Sequence, residues 1–193
     1  LYTVPFAVRS SALLRAVAYN STFTYSVEMD TVQITILPTL TVNTAGGGTV
    51  NIEPPSGPYF SNSIAQLTAH PASSCTFLQW LGDASGTNPT TTVTMNRDKY
   101  VEAVFGTTVG TIMVGGTVSA DPALPLYPFG ITIRFTAQPQ AGSYFSQWGA
   151  SASGTNNPLN FVVSTATPSV AAVFSPLGSG RYASLVDEKV EWA

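Results

Sequence analysis

A long stretch of this chain is written twice, and that repetition limits the folds that the chain can adopt. The segment FLQWLGDASGTNP begins at Phe77, and the segment FSQWGASASGTNNP begins at Phe145. The tripeptide Gly-Thr-Val recurs at the same spacing, at Gly48 and at Gly116. Self-similarity at a fixed period indicates tandem copies of one folding unit. We therefore divide the chain into module 1 (38–106) and module 2 (107–175), with one inserted residue in a turn of module 2.

Each module alternates apolar and polar residues with a period of two. In KYVEAVFG, for example, Val101, Ala103 and Phe105 fall on one face. Such alternation between Gly, Pro and Asn turns predicts short strands, and no segment has a helical period. With five or six strands per module, the sequence predicts an all-β chain of tandem small antiparallel modules, either sandwiches or β-grasp-like rolls.

The two ends of the chain differ from the modules. Residues 1–37 predict about three strands, and Val32, Ile34 and Ile36 share one face of the last strand. Because three strands are too few to bury both faces of a sandwich, we expect the sheet to be completed by strands from upstream residues or by strand addition from another chain, with these three residues as the docking surface. The tail, 176–193, contains a Gly/Ser hinge at Gly178 to Gly180. Beyond the hinge we expect either a frayed end or a short helix or strand that docks on a neighbour, with Trp192 as its anchor.

Composition excludes several classes of function. Only 9% of residues are charged, and the formal net charge is -3. The few basic residues are dispersed, so nucleic-acid binding lacks an electrostatic basis. No apolar run approaches the ~20 residues of a membrane span. The opening LYTVPF has neither Met nor the pattern of a signal peptide, so we expect the chain to be a piece of a longer protein.

The residues that support chemistry are not repeated. His70 and Cys75 suggest a nucleophile and its base, but Gln138 and Ser143 occupy the corresponding positions of module 2. Asp83 is likewise replaced by a serine, so a role shared by both modules is not expected of it. The acidic residues form neither a repeated pair nor a set of three metal ligands. The sequence therefore predicts no catalytic residue, no metal site and no cofactor.

Four repeated aromatic residues allow two interpretations. Trp80 and Trp148 lie three residues after a phenylalanine, so the two rings of each pair would face opposite sides of an ideal strand. Tyr59 and Tyr127 recur at the repeat spacing. Packing over the turn is the favoured role for these four rings. The alternative hypothesis is that exposed rings stack on a glycan.

An ordered set of motifs carries a family resemblance. These are GGGTV and VGGTV, LTAHP and FTAQP, the aromatic-x-x-Trp pairs, the Ser-Gly-Thr-Asn turns and the closing AVF tripeptides. On these motifs the modules resemble the divergent internalin B-type repeat of bacterial secreted and surface proteins. In residues 1–37, LYTVPFAV followed by SSALLRAVAY resembles the closing half of the immunoglobulin-like domain at the C-terminus of chitobiase-type enzymes.

Both resemblances imply accessory, non-catalytic modules located outside the cell or in the cell envelope. The leading prediction is a structural or adhesive repeat region of a secreted, cell-surface or fibre-forming bacterial protein. Its expected partners are other protein chains or copies of itself, joined through strand edges or the tail. The alternative is an accessory carbohydrate-binding region of an extracellular glycoside hydrolase, with polysaccharide as its partner.

Overall fold

The computed structural model describes residues 6–8, 11–22, 24, 26–55 and 57–178. Within these ranges the chain forms strands and turns and contains no helix, so the predicted all-β fold class is confirmed. The docking role predicted for Trp192 concerns residues outside the described part. No helix of the described part is long and apolar enough to cross a membrane.

The N-terminal segment forms two small two-stranded sheets. Its strands are β1 (Ala12–Leu14), β2 (Val17–Tyr19), β3 (Ser26–Glu28) and β4 (Val32–Ile34). The outer pair, β1 and β4, is antiparallel, and so is the inner pair, β2 and β3. The segment therefore has four short strands where about three were expected, because residues 15 and 16 separate β1 from β2. Val32 and Ile36 are exposed and Ile34 is half-buried, and docking on this strand stays a prediction.

Module 1 contains six strands in two sheets. They are β5 (Leu40–Asn43), β6 (Gly48–Glu53), β7 (Ile64–Pro71), β8 (Thr76–Gly82), β9 (Thr90–Thr94) and β10 (Lys99–Thr107). One sheet has the order β6-β7-β9 and is antiparallel throughout. In the other sheet, β10 lies between β5 and β8.

Module 2 repeats this arrangement and adds one short strand. Its strands are β11 (Gly110–Val114), β12 (Gly116–Asp121), β13 (Tyr127–Pro128), β14 (Thr132–Pro139), β15 (Ser143–Ala150), β16 (Leu159–Val162) and β17 (Ser169–Pro176). The two sheets have the orders β12-β14-β16 and β11-β17-β15. The additional strand, β13, does not join either of them and pairs with β10 of module 1 instead.

The modules are antiparallel as predicted except for one pair of strands in each, which the sequence did not indicate. The first strand lies parallel to the last: β5 beside β10 and β11 beside β17. A parallel pair needs a long crossover connection, and here the other four strands of the core arrangement supply it. Local alternation cannot reveal this pairing, because it records which face a residue occupies and not which strand lies beside it.

Each module has its own hydrophobic core between its two sheets. In module 1, Ala65, Leu67 and Val93 of one sheet meet Val101 and Phe105 of the other. In module 2 the corresponding cluster includes Ile133, Phe135, Val163 and Val170. Two sheets that enclose one apolar layer form a sandwich. The structure therefore selects the sandwich from the two architectures predicted.

Module 2 is joined to module 1 by a strand pair and an aromatic plug. β13 pairs with the end of β10, and the backbone N–H of Phe129 donates to the carbonyl oxygen of Phe105 at 2.9 Å. The Phe129 side chain is buried and belongs to the core cluster of module 1. Its ring covers Gly46 and Gly47, where the absence of side chains leaves room for it. Module 2 thus completes the core of its neighbour.

A buried threonine makes a second connection at this joint. The side chain of Thr107, the last residue of β10, is fully buried. Its Oγ1 donates to the carbonyl oxygen of Ser74 at 3.2 Å and accepts from the backbone N–H of Thr167 at 2.9 Å. Since Ser74 belongs to module 1 and Thr167 to module 2, one hydroxyl links both modules. Because this buried hydroxyl is satisfied both as a donor and as an acceptor, the two bonds favour a single orientation of module 1 relative to module 2.

A matched pair of glycine substitutions tests this joint. Gly47 and Gly115 occupy corresponding positions, with φ of 78° and 90°, so alanine strains both backbones similarly. A Cβ at Gly47 would lie 2.4 Å from Cε2 of Phe129, whereas the nearest atom to a Cβ at Gly115 would be Cβ of Phe174, at 3.4 Å. We expect Gly47→Ala to lower the free energy of unfolding by about 1–3 kcal/mol more than Gly115→Ala, because only the first overpacks a core.

Urea denaturation of the two variants measures this difference. As a control, the Phe129→Ala background should remove most of it, since the clashing ring is then absent. Equal losses in the two single variants would show that Phe129 does not cover Gly47 in solution.

Candidate functional site

The repeated Trp corner is built from one tryptophan and the turn that follows it. The backbone N–H of Trp80 donates to the carbonyl oxygen of Gly86 at 2.9 Å, and its indole N–H donates to the carbonyl oxygen of Asn88, also at 2.9 Å. In module 2, Trp148 makes both bonds at 2.8 Å, to Gly154 and Asn156. Each tryptophan therefore holds its Ser-Gly-Thr-Asn turn through both main chain and side chain.

The rings of each Phe-x-x-Trp pair lie on the same side of the strand. Opposite faces were expected from the three-residue spacing, and this expectation was wrong. The pairing of β8 with β10 shifts by one residue so that Leu78 is left over, and Ser146 is left over in β15. Such a bulge rotates the following residue to the other face. The ring centroids of Phe77 and Trp80 are consequently only 5.0 Å apart, as are those of Phe145 and Trp148.

The two repeated tyrosines also belong to the cores. Tyr59 and Tyr127 are 5% and 6% exposed. The hydroxyl of Tyr59 donates to the carbonyl oxygen of Pro54 at 3.1 Å, and the hydroxyl of Tyr127 accepts from the backbone N–H of Leu124 at 3.2 Å. Burial raises the pKa of Tyr59, and the nearby carboxylate of Glu53 raises it further. Each tyrosine hydroxyl thus holds the loop that precedes the tyrosine in the sequence.

Burial bears directly on the glycan hypothesis. Trp80 and Trp148 are 1% and 2% exposed, and Tyr59 and Tyr127 are almost as covered. A sugar stacks on an exposed ring face, so binding at these four residues would require a core to open. The geometry of the Trp corner is that of a structural element.

Asp83 and Ser151 perform the same structural task with different chemistry. The backbone N–H of Tyr100 donates to Oδ2 of Asp83 at 2.9 Å. At the corresponding place in module 2, the backbone N–H of Ser169 donates to Oγ of Ser151 at 3.2 Å. Sequence comparison had shown only the loss of a charge. The hydrogen-bond acceptor is in fact retained, and it satisfies a backbone donor at the start of the closing strand in both modules.

In module 1 this acceptor is also part of a charge cluster. Oδ1 of Asp83 lies 2.5 Å from a guanidinium nitrogen of Arg97 and 3.4 Å from Nζ of Lys99. The bond from the Tyr100 backbone and the bonds from Arg97 lower the pKa of Asp83 to about 2. The neighbouring Asp98 accepts from the backbone and hydroxyl of Thr39, which lowers its pKa. These carboxylates are engaged with protein donors.

The side chain of the inserted residue of module 2, Asn157, takes the place of a backbone hydrogen bond of module 1. In module 1 the backbone N–H of Ala69 donates to the carbonyl oxygen of Pro89 at 2.8 Å. In module 2 the side-chain amide of Asn157 takes this place and bonds both the N–H and the carbonyl oxygen of Ala137, at 3.0 and 2.7 Å. The insertion therefore carries its own hydrogen-bond compensation, which explains why the strands beyond it keep their register.

The residues considered for catalysis lie apart from any built site. His70 is exposed at the end of β7, and Cys75 is half-buried in the turn before β8. In the described part of the chain, no three His, Cys, Asp or Glu residues are placed to hold one metal ion. The absence of an enzymatic function stays a prediction.

Sequence reasoning missed the residues that join the modules. Phe129 and Thr107 have no identical counterpart at the equivalent repeat positions, which are Ser61 and Pro176. The available signal was this difference: a residue that is large or polar in only one copy, at the boundary between copies, has a contact that the other copy lacks.

Comparison with known families agrees with the internal repeat. The family described as the divergent InlB B-repeat domain matches residues 38–109 and again residues 107–178. The chain belongs to this family. Its two B-repeat modules are the two sandwiches described above, and the resemblance inferred from their motifs is confirmed. No match to an individual curated protein was found, and the immunoglobulin-like resemblance of residues 1–37 remains an inference from sequence.

The acceptors at positions 83 and 151 give the two B-repeat modules different responses to acid. The carboxylate of Asp83 has a folded-state pKa of about 2, below its ordinary value of 3.8. Its stabilising effect is therefore complete above about pH 4 and is lost as pH falls toward 2. We expect Asp83→Ser to lower the melting temperature at pH 6 and to reduce the further loss between pH 4 and pH 2.

Ser151→Ala is the matched control, because it removes the acceptor from module 2 without removing an ionisable group. It should lower the melting temperature equally at pH 6 and pH 3, relative to the unsubstituted chain. Calorimetry across this range measures both effects. An unchanged acid response in Asp83→Ser would contradict the assignment.

Asn157 gives a second prediction for module 2. Asn157→Ala leaves both backbone groups of the buried Ala137 without their partner, so we expect a loss of about 2 kcal/mol in the free energy of unfolding. Deletion of Asn157 makes the turn as short as that of module 1, where a proline carbonyl accepts the bond. The deletion should therefore cost less than the alanine substitution, as measured by urea denaturation. The reverse order would refute this account.

Proposed function

We propose that this chain is a non-catalytic structural and adhesive region of a secreted, cell-surface or fibre-forming bacterial protein. In this role the B-repeat modules act as rigid spacers in series. They hold the parts of the protein on either side at a fixed separation and orientation. Partners bind through strand edges and end surfaces.

The observation that carries this proposal is the joint between the modules. A flexible linker would leave each module with a complete core of its own. Here Phe129 of module 2 lies in the core of module 1, and β13 extends the sheet of module 1 at β10. Because separating the modules would expose an aromatic ring and break a strand pair, bending at the joint is opposed by both contacts. Rigidity in series is the property that a spacer needs.

The family supports the location as well as the role. Divergent InlB B-repeat domains are typical of extracellular and surface proteins. The low charge and the Thr-rich strand faces suit lateral contact between sheets. Adhesion and assembly into fibres are the parts of the proposal that go beyond the family.

The carbohydrate-binding alternative draws its support from residues 1–37. Their resemblance to the end of a chitobiase-type domain suggests an accessory module of an extracellular glycoside hydrolase. The four rings considered for stacking are buried in the module cores. We therefore place the structural role first.

NMR relaxation of the full chain tests the spacer proposal. Two modules held by a rigid joint tumble as one body, so their backbone amides should report one common overall correlation time. In Phe129→Ala the plug is absent, and the modules should report shorter and separate correlation times. Phe60→Ala is the control, since Phe60 is 76% exposed and should leave the tumbling unchanged. Independent tumbling of the unsubstituted modules would overturn the proposal.

Two further measurements separate the finer parts of the proposal. Electron microscopy of concentrated protein should show ordered polymers if the chain forms fibres, and only monomers if it does not. Binding on a glycan array that is lost in Trp80→Phe and Trp148→Phe, with the circular dichroism spectrum and melting temperature unchanged, would favour the carbohydrate alternative.

A further inference from the structure

The end of module 2 carries a seat similar to the one that Phe129 fills in module 1. In module 1, that seat consists of Gly46, Gly47, Gly48, the outer side of Phe105 and the last residues of β10. Module 2 has Gly115 and Gly116 in the corresponding turn, with Val114 in place of Gly46. It has Phe174 in place of Phe105, and Ser175 and Pro176 at the end of β17. We name this set of residues the distal seat.

The inner walls of the two seats match closely. A Cβ on Gly48 would lie 2.5 Å from Cε1 of Phe105, and a Cβ on Gly116 would lie 2.5 Å from Cζ of Phe174. The ring of Phe105 packs against Phe77 with centroids 5.7 Å apart at 72°, and the ring of Phe174 packs against Phe145 with centroids 6.1 Å apart at 73°. The phenylalanine that forms the floor of the seat is thus held in the same way in both modules.

The outer walls differ in one residue and in occupancy: Val114 stands where module 1 has Gly46, and among the described residues only the seat of module 1 is filled. Phe105 is 1% exposed beneath Phe129, whereas Phe174 is half-buried. A Cβ on Gly47 would meet the Phe129 ring, but a Cβ on Gly115 would meet no aromatic ring at all. At the rim of the distal seat, Val114 is 84% exposed. In the described part of the chain, no side chain covers Gly115 as Phe129 covers Gly47.

The strand edge beside the distal seat can also accept a partner. In module 1, β13 pairs with Gly106 and Thr107, beyond the residues of β10 that pair with β5. In module 2, β11 pairs with β17 only as far as Val173, so Ser175 and Pro176 extend beyond it. A proline at this position can still accept a hydrogen bond from a partner strand. Pro38 occupies the equivalent repeat position before β5, and its carbonyl oxygen accepts from the backbone N–H of Tyr59 at 3.0 Å.

We propose that the distal seat binds a Tyr-Pro-Phe segment of a further B-repeat module, in the way that module 1 binds β13 and Phe129 of module 2. The occupant is identified by the interface already present in the chain: a short antiparallel strand with a phenylalanine directly after it. This proposal rests on the spacer function and specifies how the series of modules is extended. It assigns the seat to a partner module rather than to the tail or to a second copy of this chain.

A peptide with the sequence of residues 124–131, LPLYPFGI, is the probe for this seat. Added to the full-length isotope-labelled chain, it should shift the NMR signals of Val114, Gly115, Phe174 and Ser175 in a saturable manner. The matched peptide LPLYPAGI lacks the plug, and we expect it to bind at least tenfold more weakly. Saturable shifts at the distal seat with this difference between peptides would support the proposal.

Two variants of the seat locate the binding. Gly115→Ala places a methyl group where the incoming ring must lie, and Val114→Asp puts a charge on the apolar rim. Each should weaken LPLYPFGI binding at least tenfold. Val114→Asp changes an exposed side chain without backbone strain, so it tests the seat even if Gly115→Ala proves unstable. Undiminished binding to Val114→Asp, or shifts confined to other surfaces, would overturn the proposal.

The remaining outcomes assign the seat to other occupants. No binding by the unsubstituted full chain at millimolar peptide overturns the proposal. Binding that appears only in a full chain carrying Tyr182→Ala and Trp192→Ala would assign the seat to the tail. Shifts at the seat that grow with protein concentration alone would assign it to a second copy. None of these results changes the common tumbling of modules 1 and 2, so failure of this proposal is distinguishable from failure of the spacer function.

Discussion

Strand β10 is the element on which the rest of the structure depends. On one edge it pairs with β8, and on the other it pairs first with β5 and then, beyond the end of β5, with β13 of the next module. Its inward residues Val101, Ala103 and Phe105 are among the most buried of the chain. One strand therefore joins the other two strands of its sheet, contributes buried side chains to the core and pairs with a strand of the next module. The joint is an extension of the module's own sheet, so bending there would break strand hydrogen bonds.

The Trp corner and the joint show how a repeat distributes its constraints. Trp80 and Trp148 make the same two hydrogen bonds, because every copy must turn its chain at that point. The acceptor at positions 83 and 151 is retained while its charge changes, because the backbone donor needs an oxygen but not a carboxylate. Phe129 and Thr107 occur in one copy only, because they serve the contact between copies. Identity between the copies thus marks the fold, and difference at the boundary marks the interface.

Much of the fold could be predicted from the residues. Alternation gave the strands, and pairing the copies separated packing residues from residues that could carry chemistry. The same comparison placed the inserted Asn157 in a turn, although not its bonds to Ala137. Three features were beyond its reach: the parallel pairing of the first and last strands, the bulge at Leu78 that turns Trp80 inward, and the insertion of Phe129 into module 1. Each depends on which strand lies beside which, and alternation contains no information about neighbours.

The sequence by itself determined that the chain is an all-β tandem repeat of one small module, because periodicity and self-similarity are properties of residue order alone. It also determined the residues of the Trp corner, since both copies retain them. Only the tertiary structure decided that the four repeated aromatic rings are buried, that Asp83 and Ser151 are equivalent, and that one module completes the core of the other. Burial, hydrogen-bond partners and contact between modules arise when distant segments meet in space, and that meeting is set by the packing of the whole fold.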